Sequence, residues 1–205
     1  MKIESIKVGR RDKEKLVIRM ENGEYISARI DDAYMLKVGD EISREKADEL
    51  TSAYSRTLAK KSAAATLARR SVSKAELSKK LRQKGFSEED SEEAVEWFSE
   101  RGFVDDESYA DAVSQYYTAR GYGRMRVYEE LKRRGIARDI SERVLSEIPE
   151  AKEEIISLIE KRLRGEGCDR EKKAKTVAFL LRRGFGYDEI KAAFYQMQLD
   201  SEDID

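Results

Sequence analysis

Two neighbouring carboxylates, Asp105 and Asp106, are the residues of this sequence that most resemble a catalytic pair. Paired carboxylates can act as a general acid and a general base. No histidine, glycine-rich phosphate loop or cluster of metal ligands accompanies them in the sequence. Because acidic residues are stabilised in the first turn of a helix, a helix N-terminus explains both residues more simply than catalysis does. We therefore predict that the protein is not an enzyme and has neither a catalytic nor a metal site.

The single cysteine, Cys168, follows Gly167 and is interpreted as a small apolar residue at a helix end. One cysteine cannot form an internal disulfide, which is typical of a reducing compartment. The absence of histidine excludes the usual zinc sites and every histidine-based triad. The sequence shows neither an apolar signal segment nor an apolar run of the ~18 residues that a membrane helix needs. These observations predict a soluble, cytoplasmic protein that has no membrane partner.

Charge is the property that most distinguishes this sequence from an average one. Charged residues make up 40% of it, against roughly 25% in a typical globular protein. Hydrophobic residues also make up 40%, so we expect a thin core that is divided among slim helical layers. The formal net charge is only -1, so the overall charge indicates no particular partner.

The charges are segregated along the chain. Residues 56–86 contain ten basic residues and one acidic residue, a net charge of +9, whereas residues 87–111 contain one basic and eleven acidic residues, a net charge of -10. Residues 119–138 return to +5, and the sign alternates again towards the C-terminus. If repeated elements stack, this alternation places basic helices along one side, where they can bind nucleic acid or an acidic protein groove. The predicted partner-binding and DNA-binding residues of this basic stripe are Arg69, Arg70, Lys74, Lys79, Lys80, Arg82, Arg120, Arg124, Arg126, Lys132 and Arg133.

A simpler interpretation competes with this one at several positions. The stripe can be a solvated face whose cations complement the partial negative charge of helix C-termini. Lys84, Arg134 and Arg183, which stand directly before glycines, fit that interpretation well.

The linker Arg120–Arg126 is the least ordinary connection in the sequence. It interleaves three arginines with Tyr122 and follows the pair Tyr116 and Tyr117. Interleaved aromatic and arginine side chains can stack on bases or bind phosphates. Equally, its two glycines can form a turn between helices, with the tyrosines half-buried between repeats. The residues alone leave both interpretations open.

Short β-branched runs at residues 6–8 and 16–20 distinguish the start of the chain. Asn22-Gly23 follows the second run and precedes a third. Asn-Gly in this position is a strong hairpin signal, because both residues accept positive φ angles. We predict two or three antiparallel strands within residues 1–30, packed on the first helix because so small a sheet is marginal alone.

A repeat of about fifty residues organises the rest of the chain. A leucine, three further residues, a glycine and a large apolar residue recur with the glycines at Gly85, Gly135 and Gly184, which are 50 and 49 residues apart. A helix often ends just before a glycine in the left-handed conformation, and in the Schellman ending the flanking apolar side chains then contact each other. Self-similarity at this period is typical of a helical array.

Helix start and stop signals predict nine helices, three in each of three repeats. Ser73 and Glu76 can form a capping box, and Ser87 precedes three acidic residues. The predicted fold class is mainly α: elongated tandem three-helix repeats with a small N-terminal antiparallel β segment. The predicted helices are 52–69, 73–84, 88–101, 106–119, 124–134, 138–147, 150–164, 170–183 and 187–198. The predicted domains are the β segment at 1–42, repeat 1 at 43–103, repeat 2 at 104–148, and repeat 3 with an acidic tail at 149–205.

Three segments together resemble the RecX family. They are Ser73-x-x-Glu-Leu77-x-x-Lys-Leu81-x-x-Lys-Gly85, Gly102-Phe-Val-Asp-Asp106-x-x-Tyr-Ala110 and Gly123-Arg-x-Arg-x-x-x-Glu-Leu131-x-x-Arg-Gly-Ile136. Their order and spacing carry the resemblance, which covers residues 60–200. The N-terminal strands are similar to an extension found in some longer family members.

The resemblance implies a modulator of the recombinase RecA. Family members bind RecA and the filament that it forms on single-stranded DNA, lie in the filament groove or at its end, and mostly inhibit its ATPase, recombinase and coprotease activities, which regulates DNA repair. The resemblance implies no cofactor and no catalytic site, and in some members direct DNA binding. We expect a monomer. The basic stripe suits such a partner because the filament contains DNA.

Two alternatives from other classes are compatible with the same residues. A direct DNA-binding helical-repeat module that acts without RecA predicts a DNA affinity that falls steeply with salt. A purely structural helical adaptor predicts no effect on nucleic acid or on the filament. Reversal of Lys79, Lys80 and Arg82 to glutamate should abolish the DNA binding of the first alternative and leave the structural adaptor unchanged.

Overall fold

A three-stranded antiparallel sheet begins the protein, whose computed structural model describes residues 1–10, 12–163 and 169–197. In spatial order, the strands are β1 (Ile3–Val8), β2 (Lys15–Met20) and β3 (Tyr25–Arg29). The Asn22-Gly23 turn joins β2 to β3, and Gly23 adopts a φ of 87°. The predicted hairpin and the predicted N-terminal β segment are therefore confirmed.

One face of this sheet forms a core with the first long helix. Leu16, Ile18 and Met20 alternate along β2 and are buried, as the two-residue period of a strand requires. Ala47 and Leu50 of the helix belong to the same core. Because a sheet of this size needs such a cover, its packing on the helix agrees with the sequence prediction.

Ten helices follow the sheet in the described part of the chain. They are α1 (Ile30–Ala33), α2 (Arg44–Leu67), α3 (Lys74–Gln83), α4 (Glu88–Ser99), α5 (Asp106–Thr118), α6 (Arg124–Arg133), α7 (Arg138–Glu147), α8 (Lys152–Leu163), α9 (Arg170–Arg182) and α10 (Tyr187–Gln196). The mainly helical fold class is confirmed.

The predicted bounds of the first helix were wrong, although repeat 1 was predicted to begin at residue 43. The short α1 was not predicted, and α2 begins at Arg44 rather than at residue 52. The Ser43 hydroxyl caps α2 by accepting a hydrogen bond from the backbone N–H of Lys46 at 3.1 Å. This cap starts the helix within a highly charged segment that lacks a clear apolar period.

The later helices group in threes around small cores. α5, α6 and α7 enclose one core that includes Val113, Leu131 and Val144. α8, α9 and α10 enclose another that includes Ile159 and Leu180. With α2, α3 and α4 as the first group, the predicted tandem three-helix repeats are confirmed.

The second helix of each repeat ends in the predicted Schellman geometry. Gly85, Gly135 and Gly184 adopt φ angles of 93°, 71° and 87°, in the left-handed region that favours glycine. In the first repeat the backbone N–H of Phe86 donates to the carbonyl of Leu81 at 3.3 Å, and the equivalent bonds of the other two repeats measure 3.1 and 3.2 Å. The predicted role of these glycines in ending helices is confirmed.

One of these glycines also receives the start of another helix. The carbonyls of Arg183 and Gly184, just beyond α9, accept hydrogen bonds from the N–H groups of Gly123 (2.9 Å) and Met125 (3.0 Å) at the start of α6. This contact satisfies backbone groups that helix ends leave unpaired, and it joins ends of opposite partial charge. A Cβ on Gly184 would lie 2.3 Å from the backbone nitrogen of Arg126, so the approach requires glycine.

The same kind of contact joins the start of α3 to the end of α6. The Ser73 hydroxyl donates to the carbonyl of Arg134 at 2.5 Å. It also accepts from the N–H of Glu76 (3.0 Å), whose carboxylate accepts from the N–H of Ser73 (3.3 Å), so the predicted capping box is confirmed. A Cβ on Gly135 would lie 2.5 Å from the Cβ of Ala75. We call the end-to-end contacts of α3, α6 and α9 the helix-end series.

The chain divides into two units. The first contains Met1–Ser71 and Leu77–Val104, and the second contains Val72–Glu76 and the chain from Asp105 onward. The helix-end series lies wholly in the second unit, which includes only the start of α3. No helix among the described residues is both long enough and apolar enough to cross a membrane.

Replacement of Gly184 by alanine tests the helix-end series. G184A is expected to lower the free energy of unfolding by roughly 2–4 kcal/mol, because the left-handed backbone and the approach of Arg126 both oppose a Cβ. G102A is the matched control: Gly102 also has a positive φ, of 71°, but a Cβ there would meet nothing within 4 Å. The control should lose only about 1 kcal/mol. Chemical denaturation followed by circular dichroism measures both losses. Equal losses would contradict the claim that the close approach of Arg126 requires glycine at position 184.

Candidate nucleic-acid and partner interface

An open cavity in the first unit collects one group of the predicted cations. It is lined by residues from the end of α2 and from α3: Ala65, Thr66, Arg69, Arg70, Lys80, Gln83 and Lys84. Arg69 and Arg70 are exposed, Lys80 is half-buried, and none of the three forms an ion pair with a described residue. None of the described residues that line the cavity is acidic. The cavity is therefore electropositive and accessible to an anion.

Two further cations of α3, Lys79 and Arg82, belong to the predicted stripe but do not line this cavity. Lys79 is exposed and has no ion-pair partner among the described residues. The guanidinium of Arg82 lies 3.4 Å from the carboxylate of Glu88, and both side chains are largely exposed. A surface pair of this kind contributes little to stability and exchanges readily for another anion. Because Leu77 and Leu81 on the same helix are fully buried, α3 turns its cations towards solvent.

A buried carboxylate pairs with three arginines, one in the first turn of α6 and two at its end. Glu130 is only 4% exposed. Its oxygens lie 2.5 Å from Arg133, 3.3 Å from Arg126 and 3.6 Å from Arg134. Burial opposes the charged form, but hydrogen bonding from Arg133 and the charges of Arg133 and Arg134 outweigh it, so the pKa of Glu130 lies below its ordinary 4.5. Arg126 and Arg133, both members of the predicted stripe, therefore already have a partner inside the protein.

Sequence reasoning missed Glu130, although a signal for it was present. Residues three and four positions apart on a helix are neighbours. Arg126, Arg133 and Arg134 stand at those distances from Glu130, so one acid could have been expected to serve all three. The burial of Glu130 could not be predicted from the sequence, because it depends on how α6 packs.

The remaining predicted residues of the second unit differ in their contacts. Lys132 is exposed and has no ion-pair partner among the described residues. Arg124 is half-buried and donates a hydrogen bond to the carbonyl of Ile148. Lys74 is also half-buried, and its backbone N–H donates to Asp106 at 2.8 Å. Arg124 thus has a structural contact in place, whereas Lys132 is free to meet a partner.

The arginine-tyrosine linker forms a stacked group of side chains. The guanidinium of Arg120 lies 3.5 Å from the ring centre of Tyr116. The rings of Tyr116 and Tyr117 are 5.3 Å apart, and those of Tyr117 and Tyr122 are 5.4 Å apart. Tyr116 is 52% exposed, whereas Tyr117 and Tyr122 are half-buried. Packing therefore accounts for Tyr117 and Tyr122, and stacking on a ligand stays open for Tyr116.

The sequence analysis assigned Arg183 of the third repeat to a helix C-terminus and missed its contact with this group. Arg183 donates to the carbonyls of Arg120 and Gly121, at 2.9 Å each. Its guanidinium lies 5.0 Å from the ring centre of Tyr122 and 5.0 Å from that of Phe179. The helix-end contact at Gly184 brings Arg183 to the linker. No local sequence pattern predicts this contact.

The two adjacent carboxylates act at helix starts, as predicted. Asp105 caps α5 by accepting from the N–H of Glu107 at 3.0 Å, and Asp106 accepts from the N–H of Lys74 at the start of α3. The hydrogen bond from Ser108 lowers the pKa of Asp105, and burial raises the pKa of Asp106.

Two further sequence interpretations concern metal binding and the position of Cys168. In the described ranges, no group of three or more His, Cys, Asp or Glu residues is placed to hold a metal ion. Cys168, with the helix end predicted beside it at Gly167, lies outside the described residues, as does the acidic tail.

Comparison with known proteins identifies this architecture. Models of the first, second and third three-helix domains of RecX match residues 59–98, 105–145 and 150–194. The chain belongs to the RecX family. The matched segments correspond in turn to α2–α4, α5–α7 and α8–α10, so the resemblance carried by the three sequence segments is confirmed.

Relatives with the name Regulatory protein RecX occur in several bacteria. The chain is 33% identical over 150 residues to that of Vibrio parahaemolyticus, covering 72% of this chain and 95% of the relative. It is 33% identical over 160 residues to that of Caldanaerobacter subterraneus, covering 77% of this chain and 80% of the relative.

Solved structures of RecX proteins share the fold. A crystal structure of regulatory protein RecX superposes with a TM-score of 0.69 at 20% identity, covering 94% of this chain and 98% of that one. The crystal structure of RecX from Lactobacillus salivarius gives a TM-score of 0.65 at 22% identity, covering 72% of this chain and 99% of that one.

Replacement of Glu130 by glutamine tests the buried carboxylate. E130Q is expected to lower the free energy of unfolding by about 1–3 kcal/mol at neutral pH, because an amide cannot neutralise the surrounding arginines. Since the folded-state pKa of Glu130 lies below the ordinary 4.5, the carboxylate stabilises the fold fully above that pH and progressively less as the pH falls through the folded-state value. Denaturation at a series of pH values should therefore show the difference from wild type shrinking in acid.

E129Q is the matched control for this experiment. Glu129 is 63% exposed and pairs with Arg126 at 3.2 Å, so its replacement should change the unfolding free energy by less than about 0.5 kcal/mol. A deficit of E130Q that did not vary with pH would show that the charge of Glu130 is not what stabilises the fold.

Proposed function

We propose that the protein is a cytoplasmic, non-catalytic regulator that binds RecA and the filament that RecA forms on single-stranded DNA. It mostly inhibits the ATPase, recombinase and coprotease activities of the filament, and so regulates homologous recombination, the SOS response and DNA repair. The observation that carries the proposal is the match of all three helical repeats to RecX domains. The relatives' name, Regulatory protein RecX, supports a regulatory role rather than an enzymatic one.

The accessible cations support a partner that contains nucleic acid. A cation without a partner inside the protein gives up no intramolecular ion pair when it binds a phosphate, and it displaces counterions from the DNA. Arg126 and Arg133, by contrast, would have to share their contact with Glu130. We therefore assign the main contribution to the unpaired members of the basic stripe: Arg69, Arg70, Lys79, Lys80 and Lys132.

A second candidate function is direct DNA binding without RecA. The cavity around Arg69, Arg70 and Lys80 favours it, because the described residues of its lining include no acid that would repel a phosphate. This function requires an affinity for DNA alone that falls steeply as the salt concentration rises.

The experiment that tests the first function is a titration of RecA's ATP hydrolysis on single-stranded DNA with this protein. The wild-type protein is expected to lower the rate. Inhibition by few copies would indicate binding at filament ends, and inhibition in proportion to RecA would indicate binding along the groove. An unchanged rate at every ratio would contradict the proposal.

The double variant K79E/K80E tests the role of the unpaired cations in the same titration. It is expected to need on the order of tenfold more protein for equal inhibition, because two attractive charges become repulsive towards phosphate. K13E/K191E is the matched control, since it makes the same change of charge at two exposed lysines outside the predicted stripe. Equal losses in both variants would show that only the overall charge matters.

A further inference from the structure

A second cationic cavity lies in the third repeat, outside the predicted basic stripe. The last turn of α8 and the first half of α9 contribute Lys161, Arg162, Lys172 and Lys175 to its lining. Lys175 pairs with Glu171 at 2.5 Å, but both side chains are well exposed, so this pair is weak. None of the described residues that line the cavity is acidic. Four cations from two helices therefore face one open space.

A continuous row of planar side chains runs from this cavity to the linker of the second repeat. The guanidinium of Arg162 lies 4.7 Å from the ring centre of Phe179, at the cavity wall. Arg183 lies 5.0 Å from both Phe179 and Tyr122, which connects the two repeats. The tyrosines of the linker and Arg120 continue from there. We call this set the aromatic row: Arg162, Phe179, Arg183, Tyr122, Tyr117, Tyr116 and Arg120.

Hydrogen bonds hold the middle of the aromatic row, and both of its ends are accessible. Arg183 is held by two backbone carbonyls, which fixes the plane of its guanidinium. At one end Arg120 is exposed and Tyr116 is 52% exposed, and at the other end Arg162 is exposed beside the half-buried Phe179. A preorganised stacking surface binds with little loss of side-chain entropy.

Aromatic rings and guanidinium planes both stack on nucleic-acid bases. Such stacking tolerates any base sequence, and proteins that bind single strands combine it with a cationic groove that follows the backbone. A duplex keeps its bases stacked on each other, so their faces are not available to side chains. The juxtaposition of four cations with a row of stackable planes therefore fits a single strand better than a duplex.

We propose that the cavity of the third repeat and the aromatic row together form a binding track for single-stranded nucleic acid. The cavity's cations hold phosphates, and the exposed ends of the row stack on bases. The inference rests on the second candidate function, direct DNA binding, and adds a separate site in the third repeat to the cavity of the first unit that favours this function. Single-stranded DNA and RNA share the required chemistry.

The experiment measures the fluorescence anisotropy of a labelled oligothymidylate titrated with the full-length protein in the absence of RecA. R120K and R162K keep the positive charge but lose the planar group, so they separate stacking from charge. Y116A removes a ring that is 52% exposed at one end of the row. Each of the three variants is expected to bind about tenfold more weakly than the wild-type protein.

Two matched controls accompany these variants. Y195A removes a tyrosine of α10 that is 76% exposed and outside the row, and R138K changes an arginine that is exposed and paired with Glu142. Both should bind like the wild type. An abasic strand of equal length, which keeps the phosphates and lacks the bases, should bind the wild type about tenfold more weakly, and oligouridylate should bind about as well as oligothymidylate.

The outcomes separate this inference from the proposed function. Wild-type binding with no loss in R120K, R162K or Y116A overturns the track and leaves DNA binding to the first unit, where K79E/K80E would then weaken it. Equal affinity for the abasic strand overturns stacking. No binding of any strand by the wild type overturns both the track and the second candidate function, while inhibition of RecA is measured separately.

Discussion

The end of one helix meeting the start of another is the contact on which the second unit depends. At Gly184 the terminal carbonyls of α9 accept hydrogen bonds from the first N–H groups of α6, and at Arg134 the end of α6 receives the hydroxyl of Ser73. Helix ends otherwise leave such groups to solvent or to side-chain caps. Here the start of another helix supplies hydrogen-bond donors to the carbonyls at a helix end. The close approach leaves no room for a Cβ on Gly184 or Gly135.

This contact also determines which side chains can act together. Arg183 precedes Gly184, and docking of α6 at that glycine brings Arg183 to the carbonyls of Arg120 and Gly121. The aromatic row follows from that position. At the other helix end, Arg134 joins Arg126 and Arg133 around the buried Glu130. Some arginines of the second unit thus stabilise the fold, whereas exposed lysines such as Lys132 are available to a partner.

Local patterns were sufficient to predict much of the fold. The Asn22-Gly23 turn, the Ser73 capping box and the glycines that end helices each depend on a few consecutive residues, so their chemistry can be read from the chain. The start of α2 was misplaced because the Ser43 cap precedes a charged segment without apolar periodicity. The apolar spacing also predicted the three-helix repeats, which the RecX domain matches confirm.

The contacts that define the candidate site could not be predicted in the same way. The burial of Glu130 and the meeting of Arg183 with the linker depend on residues that are distant in sequence. The charge pattern indicated cations in the correct segments, but it could not distinguish Lys79, which is unpaired, from Arg133, which Glu130 holds. Net charge over a segment does not record which charges the fold has already neutralised.

Co-sedimentation with RecA filaments assembled on single-stranded DNA tests the regulatory role most directly. The protein is predicted to enter the pellet with the filament, at a ratio that saturates, and to be released as salt rises because phosphate contacts contribute to binding. DNA without RecA serves as the control for direct DNA binding. If the protein stays in the supernatant when filaments are in excess at low salt, it does not act on the RecA filament.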